Sequence, residues 1–345
     1  MKCTWLKKIR TEDVERALIL CASAMVVALA LRGDAEKPYA NTDAQTDFPV
    51  VNITQSVQET QETVVHFTDG QGYLVPVTCQ VKKSEGIAKE TLAKMVASSE
   101  NDLFAARLGL KTTIPEGTKI DLDIAQGKAR VDMSKEALSC PDAESEALMV
   151  QSVVETLCRF DTVEEVSFLF DGQQRSKLTH GMDVSGAFAG GSINFEETDT
   201  LPTAGAQTVQ LYFPSQSGRM LVPVSRTVYS DADATTVLLE LLKGPRKDSG
   251  LMEALPENVG ILGVKMENGV CTVHFTRDFI AAMEEDTDSQ RLDALTHTLK
   301  QLPGVKEIRF LVEGESYTPP ARSSQTALNV SSEIISYYPG VIETD

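Results

Sequence analysis

One stretch of this chain is written twice. Residues Ile120 to Gly172 align without a gap to Leu262 to Gly314, at a constant offset of 142. Gly127 falls on Gly269, Val131 on Val273, Leu157 on Leu299, Val163 on Val305, and Phe168-Leu169 on Phe310-Leu311. Upstream, Leu74-Val75-Pro76-Val77 recurs as Leu221-Val222-Pro223-Val224, and Ile114-Pro115-Glu116 as Leu255-Pro256-Glu257. Core positions, turn glycines and a strand proline persist, while nearly every side chain able to do chemistry changes. A duplication that keeps a scaffold without a shared polar set predicts a binding or assembly module, not a catalyst.

Each copy reads as β-β-α-β-β-α-β, an α+β unit whose mixed sheet carries helices on one face. Val64–Phe67 and Tyr73–Thr78 flank a glycine-containing turn and form a hairpin; the second copy turns through Pro214-Ser215-Gln216-Ser217-Gly218. Pro76 and Pro223 lack the N–H that a two-sided ladder needs, which places their strands at an edge or at a bulge. Short helices follow near Ala88–Ala97 and Thr235–Lys243, the second stopped by Gly244-Pro245. A second hairpin turns at Gln126-Gly127 and at Asn268-Gly269. The clearest helix repeats Val150, Val153, Leu157 and Phe160 as Leu292, Leu295, Leu299 and Leu302, one apolar stripe for packing on a sheet. The last strand, Val166–Phe170 or Ile308–Val312, alternates little and is expected between two neighbours.

The chain divides into a signal or membrane-anchor segment (1–33), a polar tether (34–62), a first unit with trailing linker (63–200), a second unit (208–322) and a tail (323–345). Lys7, Lys8, Arg10 and Arg16 precede an apolar run from Ala17 to Leu31. As a helix that run spans about 22 Å, short of a bilayer core of about 30 Å. Ala28-Leu29-Ala30 has the small-x-small form of an export cleavage site. An export signal, cleaved or retained as an anchor, is the expectation, and it places residue 34 onward outside the cytoplasm.

The formal charge is −18, and the N-terminal segment is net basic, so the acidic excess lies beyond it. Such a surface repels phosphate backbones, which argues against nucleic acid as a partner. Of six cysteines, Cys79, Cys140, Cys158 and Cys271 fall in the units, opposite Arg226, Ala282, Lys300 and Ala129. A duplicated disulfide or metal site would appear in both copies, so these read as free thiols. The histidines are His66, His180, His274 and His297. None stands at metal-ligand spacing, and the alignment places His66 opposite Leu211, so no metal, catalytic or cofactor residues are assigned. Gly190-Gly191-Ser192 reads as a connector. Lys243-Gly244-Pro245-Arg246-Lys247 is basic and glycine-containing but lacks the spacing of a phosphate-binding loop. Lys243, Arg246 and Lys247 are therefore candidate protein-interaction residues. The first copy has Ser98-Ser99-Glu100 in their place, so a head-to-tail contact between unlike patches is a possible mode of self-association.

These residues together resemble the GerMN domain family of sporulation and spore germination proteins. The resemblance rests on the Leu-Val-Pro-Val strand, Leu242-Lys243-Gly244-Pro245, Leu255-Pro256, Val273-His274-Phe275-Thr276 and Pro303-Gly304-Val305. It covers roughly residues 64–200 and 209–320, and His180-Gly181-Met182-Asp183-Val184-Ser185 is similar to that family's trailing segment. It implies a tandem, non-enzymatic, extracytoplasmic protein of spore-forming bacteria, with domains like the ring-building motifs of the channel joining mother cell and forespore. Envelope or channel proteins, or further copies of the chain, are the implied partners. Members can be lipid-anchored; here Cys21 follows Leu20, where that pattern takes a small residue. The rival expectation is a peptidoglycan-binding or cell-wall-acting protein, which exposed aromatics along a groove would favour.

Overall fold

The computed structural model describes residues 59–196, 205–286 and 290–319. The export segment, most of the tether, Cys3, Cys21 and the C-terminal tail lie outside the described residues. No described helix is long and apolar enough to cross a membrane.

The first copy opens with an antiparallel hairpin, β1 (Thr60–Thr68) and β2 (Leu74–Lys82). Helices α1 (Ile87–Ala93) and α2 (Ser99–Arg107) follow. A mixed sheet then runs in the order β3 (Ile120–Ala125), β4 (Gly127–Met133), β5 (Val163–Phe170), β6 (Phe188–Ala189). Antiparallel β3 and β4 are joined by the tight turn, whereas β4 and β5 run parallel and need the crossover helix α3 (Ala143–Leu157) between them. The second copy repeats the plan. It has a hairpin of β7 (Gln207–Pro214) and β8 (Leu221–Val228), then α4 (Ala234–Leu242), β9 (Ile261–Glu267) and β10 (Val270–Phe275). After these come α5 (Asp278–Glu284), α6 (Gln290–Lys300), β11 (Glu307–Val312) and β12 (Glu315–Ser316). Its mixed sheet is ordered β12-β11-β10-β9, with β10 and β11 parallel.

The α+β tandem is as expected, with each copy's strands shared between a two-stranded sheet and a four-stranded one. The last long strand of each copy is flanked on both sides, β5 by β4 and β6, β11 by β10 and β12. The proline strands β2 and β8 are edge strands, each laddered only to its hairpin partner. Two turn positions explain why glycine persists in both copies. Gln126 and Gly127 have φ of 54° and 78°, and Asn268 and Gly269 have 52° and 82°, the double left-handed geometry of a two-residue hairpin. Asp171-Gly172 and Glu313-Gly314 repeat it after the last long strand.

Three local expectations need correction. The element order is richer, with α2 in the first copy and α5 in the second. The hairpin register places Pro76 opposite His66 and Pro223 opposite Tyr212, so His66 corresponds to Tyr212 and not to Leu211. One residue more lies between Pro214 and Leu221 than between Thr68 and Leu74. Finally, Ser98 is the N-cap of α2, its side chain accepting from the Asn101 amide. Ser98-Ser99-Glu100 is thus a helix start with no counterpart in the Lys243–Lys247 loop.

Candidate functional site

The basic loop lies where the two copies meet. Arg226, from β8, sits in a low-water setting at 12% side-chain exposure, between Glu196 at 9% and Glu240 at 12%. Its Nη2 and Nε donate to Glu196 Oε2 at 2.7 and 3.1 Å, and its Nη1 donates to the Glu240 carbonyl at 3.0 Å and Oε2 at 3.3 Å. Nη2 also donates to the Gly244 carbonyl at 3.0 Å. A planar guanidinium suits this fork, because it can serve two carboxylates and a helix-end carbonyl at once. Lys243 pairs with the same Glu240, so two cations and two carboxylates balance. The Arg246 amide donates to Glu196 Oε1 at 3.4 Å. Lys247 is exposed. Lys243 is therefore tied into this cluster through its side chain and Arg246 through its main chain, while Arg246 and Lys247 are both exposed residues.

The segment between the copies, read from sequence as a connector, is held on both sides. Glu155 of α3 is buried, and its carboxylate accepts from the Gly191 and Ser192 amides at 3.1 Å. Burial raises this carboxyl above its ordinary range, against the pull of those N–H groups. At Gly190 a Cβ would sit 2.6 Å from the Cys158 Cβ, so the close approach admits only glycine. Asn194, at φ 50°, uses its side-chain amide as a staple. Its Oδ1 accepts from the Leu74 amide at 2.8 Å, and its Nδ2 donates to the Leu74 carbonyl at 2.8 Å and the Pro223 carbonyl at 2.7 Å. Ser225 pairs with Ile193 and Glu196 through the backbone, which fills the outer edge of β8.

The two copies share one buried polar feature that the sequence reading missed. Thr156 on α3 and Thr298 on α6 are equivalent and fully buried. Thr156 Oγ1 meets His66 Nδ1 at 2.9 Å, and Thr298 Oγ1 accepts from the Tyr212 amide at 2.9 Å. The hydroxyl is a scaffold position that satisfies whichever polar group the first strand offers. His66 is buried, and burial, with Arg159 nearby, holds it well below its ordinary pKa and so neutral. His180 Nε2 lies 2.8 Å from the Cys140 carbonyl, and its amide donates to the buried Glu146. His297 is half-buried with its ring 5.6 Å from that of Tyr212, not on an open helix face.

Among the described residues no group of three or more His, Cys, Asp or Glu is placed to hold a metal ion. Among the described residues Cys140, Cys158 and Cys271 are free thiols, and Cys79, Cys140 and Cys271 are buried. A groove of about 1110 Å³ in the first copy is floored by Ile87, Ala88, Ile124 and Phe160 and rimmed by polar residues such as Lys83 and Glu85. Phe160, its one aromatic, is 2% exposed and offers no stacking face to a sugar.

Comparison with known proteins decides the family. The Germane family, described as sporulation and spore germination, matches residues 64–176 and 210–318, more than half of the chain. The chain belongs to this family. Over 281 residues this Germane protein is 27% identical to the spore germination protein GerM of Bacillus subtilis (strain 168), covering 76% of this chain and 75% of that protein. Its fold is similar to the solved tandem GerMN domains of the sporulation protein GerM from Bacillus subtilis. That match has a TM-score of 0.60 at 23% identity and covers 76% of this chain and 98% of the other. The two family matches coincide with the two copies of the duplication.

Proposed function

We propose that this Germane protein is a non-catalytic, extracytoplasmic scaffold in sporulation and spore germination, supporting an envelope complex such as the mother cell–forespore channel. The observation that carries this reading is what the duplication keeps. Thr156 and Thr298 recur as buried scaffold hydroxyls, whereas His66 becomes Tyr212 and Cys79 becomes Arg226. Selection for a shared reaction would preserve reacting groups, while selection for two differently dressed binding modules preserves the frame. Export and membrane attachment through the basic-then-apolar N-terminal segment complete the proposal.

The second copy also offers an apolar edge. Leu262 and Met266 on β9 are 55% and 44% exposed; Leu262 stands at a register shift, where Ile261 is the residue opposite Phe275 as Ile120 is opposite Met133, and Met266 matches the half-buried Ile124. An edge strand with uncovered apolar side chains suits a protein partner, and Arg246 and Lys247 are exposed charges open to one. The test is a strain lacking the gene, complemented with wild type or with Leu262→Asp/Met266→Asp. Loss of spore formation or germination in the deletion, uncorrected by the double variant, is expected. Normal spores from the deletion strain overturn the reading. Purified protein mixed with purified cell wall provides the second arm, where released wall fragments would show catalysis instead.

A further inference from the structure

The proline-bearing edges face each other. β2 of the first copy lies against β8 of the second, and Asn194 hydrogen-bonds to Leu74 and Pro223 across that line. Neither edge can run an unbroken ladder past its proline. The side-chain amide of Asn194 stands in for a strand, with one acceptor and two donations matched to three backbone groups.

Two further contacts close the seam on either side of this staple. At one end, the Arg159 guanidinium of the first copy lies close enough to the Tyr212 hydroxyl of the second to act on it electrostatically. Tyr212 is 5% exposed, and burial raises its phenol above the ordinary range although Arg159 opposes that. At the other end, the hairpin turn of the first copy meets the basic loop of the second. The Tyr73 hydroxyl lies near Ser249, with Glu196 and Arg246 close enough to act on it. Gly250, at φ 69°, lies so close to Gln71 that a Cβ there would stand 2.1 Å from Gln71 Oε1. The Arg226 cluster then ties Glu196, just beyond the staple, into the second copy. The seam is thus polar, hydrogen-bonded at the Asn194 staple and at the Arg226–Glu196 pair, and built from residues that differ between the copies: Arg226 faces Cys79 in the alignment, and the Lys243–Lys247 loop has no counterpart in the first copy.

We propose that this seam is a lasting interface, so that each copy is the other's partner and the chain acts as one two-module body with its proline edges closed from within. The residues that break the repeat's symmetry are then accounted for: they join the copies to each other. The basic loop belongs to that lock through the Arg246 amide and Gly250, and external partners are left the mixed-sheet edges. This inference is independent of the scaffold reading.

The test uses the full chain with a protease recognition sequence inserted between Glu196 and Gly205, cut after folding and passed through gel filtration. The two halves are expected to co-elute as one particle. Asn194→Gly keeps the left-handed backbone while removing the staple, and Tyr212→Phe removes only the hydroxyl. The cut double variant is expected to dissociate at concentrations at least about tenfold higher than the cut wild type, the equivalent of about 1.4 kcal/mol. Circular dichroism of the uncut double variant, expected to match wild type in its far-ultraviolet spectrum, separates dissociation from unfolding. Cut Lys247→Glu, altered at an exposed site, should stay together. Wild-type halves that separate on cutting, or double-variant halves that hold as tightly as wild type, overturn the proposal.

Discussion

Replacing Arg226 by Met is the sharpest probe of how the second copy is held together. Five N–H···O contacts of 2.7 to 3.3 Å converge on this guanidinium. Methionine fills much of the stem's volume but strands two carboxylates, Glu196 and Glu240, at 9% and 12% exposure. Removing one partner of a buried ion pair typically costs about 3–5 kcal/mol, since the remaining charge keeps its desolvation penalty. Here Lys243 still reaches Glu240, so only Glu196 loses its cation in the cluster, and the lower end, about 3 kcal/mol, is expected. Adding Glu196→Gln to Arg226→Met removes the orphaned charge and should recover about half of that loss, because a neutral amide is cheaper to bury. Arg226→Lys should fall between wild type and Met, since an ammonium cannot span both carboxylates and the Gly244 carbonyl. The assay is urea unfolding of each variant followed by circular dichroism, read as the midpoint at constant slope. A shift for Arg226→Met below about 0.5 kcal/mol, the range of ordinary surface changes, would refute the reasoning.

Thr156→Val and Thr298→Val keep shape and delete the hydroxyl. Each leaves a buried group unpaired, His66 Nδ1 or the Tyr212 amide, and each should lose about 1–3 kcal/mol in the same urea assay. His66 makes stability pH-dependent. Its folded pKa is depressed, so below the unfolded value of about 6.5 the unfolded chain takes up a proton that the folded chain refuses. Stability should therefore fall on acidification, by up to about 1.4 kcal/mol per pH unit, and the difference between wild type and His66→Gln isolates this slope from other groups. Gly190→Ala should destabilise by about 1–3 kcal/mol through overpacking. Cys158→Ala should not rescue it, because the clash is with the Cys158 Cβ; equal thermal melting of Gly190→Ala and wild type would contradict the close approach.

The parts of the fold that were readable from sequence are those set by local chemistry. Helical stripes, two-residue glycine turns and proline edges depend on residues within a turn or two of each other, and α3, α6, both tight hairpins and the edge placement of β2 and β8 follow from them. Helix α2 escaped because it presents no apolar stripe: Ala105 is its one buried residue, although the Ser98 cap was there to be read. The misplacement of His66 against Leu211 came from one extra residue in the second hairpin turn, which shifts everything upstream by one position. The seam was out of reach for a different reason. Asn194 is 120 residues from Leu74, and nothing in an Asn two positions after Gly-Ser marks it as a staple. Its left-handed backbone and its three partners exist only once both copies have folded.

The same distinction bears on the basic loop, which the sequence offers as an external patch. In a one-dimensional comparison, Lys243, Arg246 and Lys247 differ in charge from their aligned residues, and charge that differs between copies suggests a docking code. In three dimensions the difference has a nearer cause. Two identical modules cannot join through a seam whose two sides play unlike roles unless some residues diverge, just as heterologous contacts require two different patches. Arg226 paired with Glu196, Tyr212 near Arg159, and Ser249 near Tyr73 are such divergent positions. Divergence between tandem copies is therefore weighed against the copies' own interface before it is assigned to an outside partner. By that criterion Leu262 and Met266, apolar side chains exposed on the edge strand β9, are candidates for external binding alongside the basic loop.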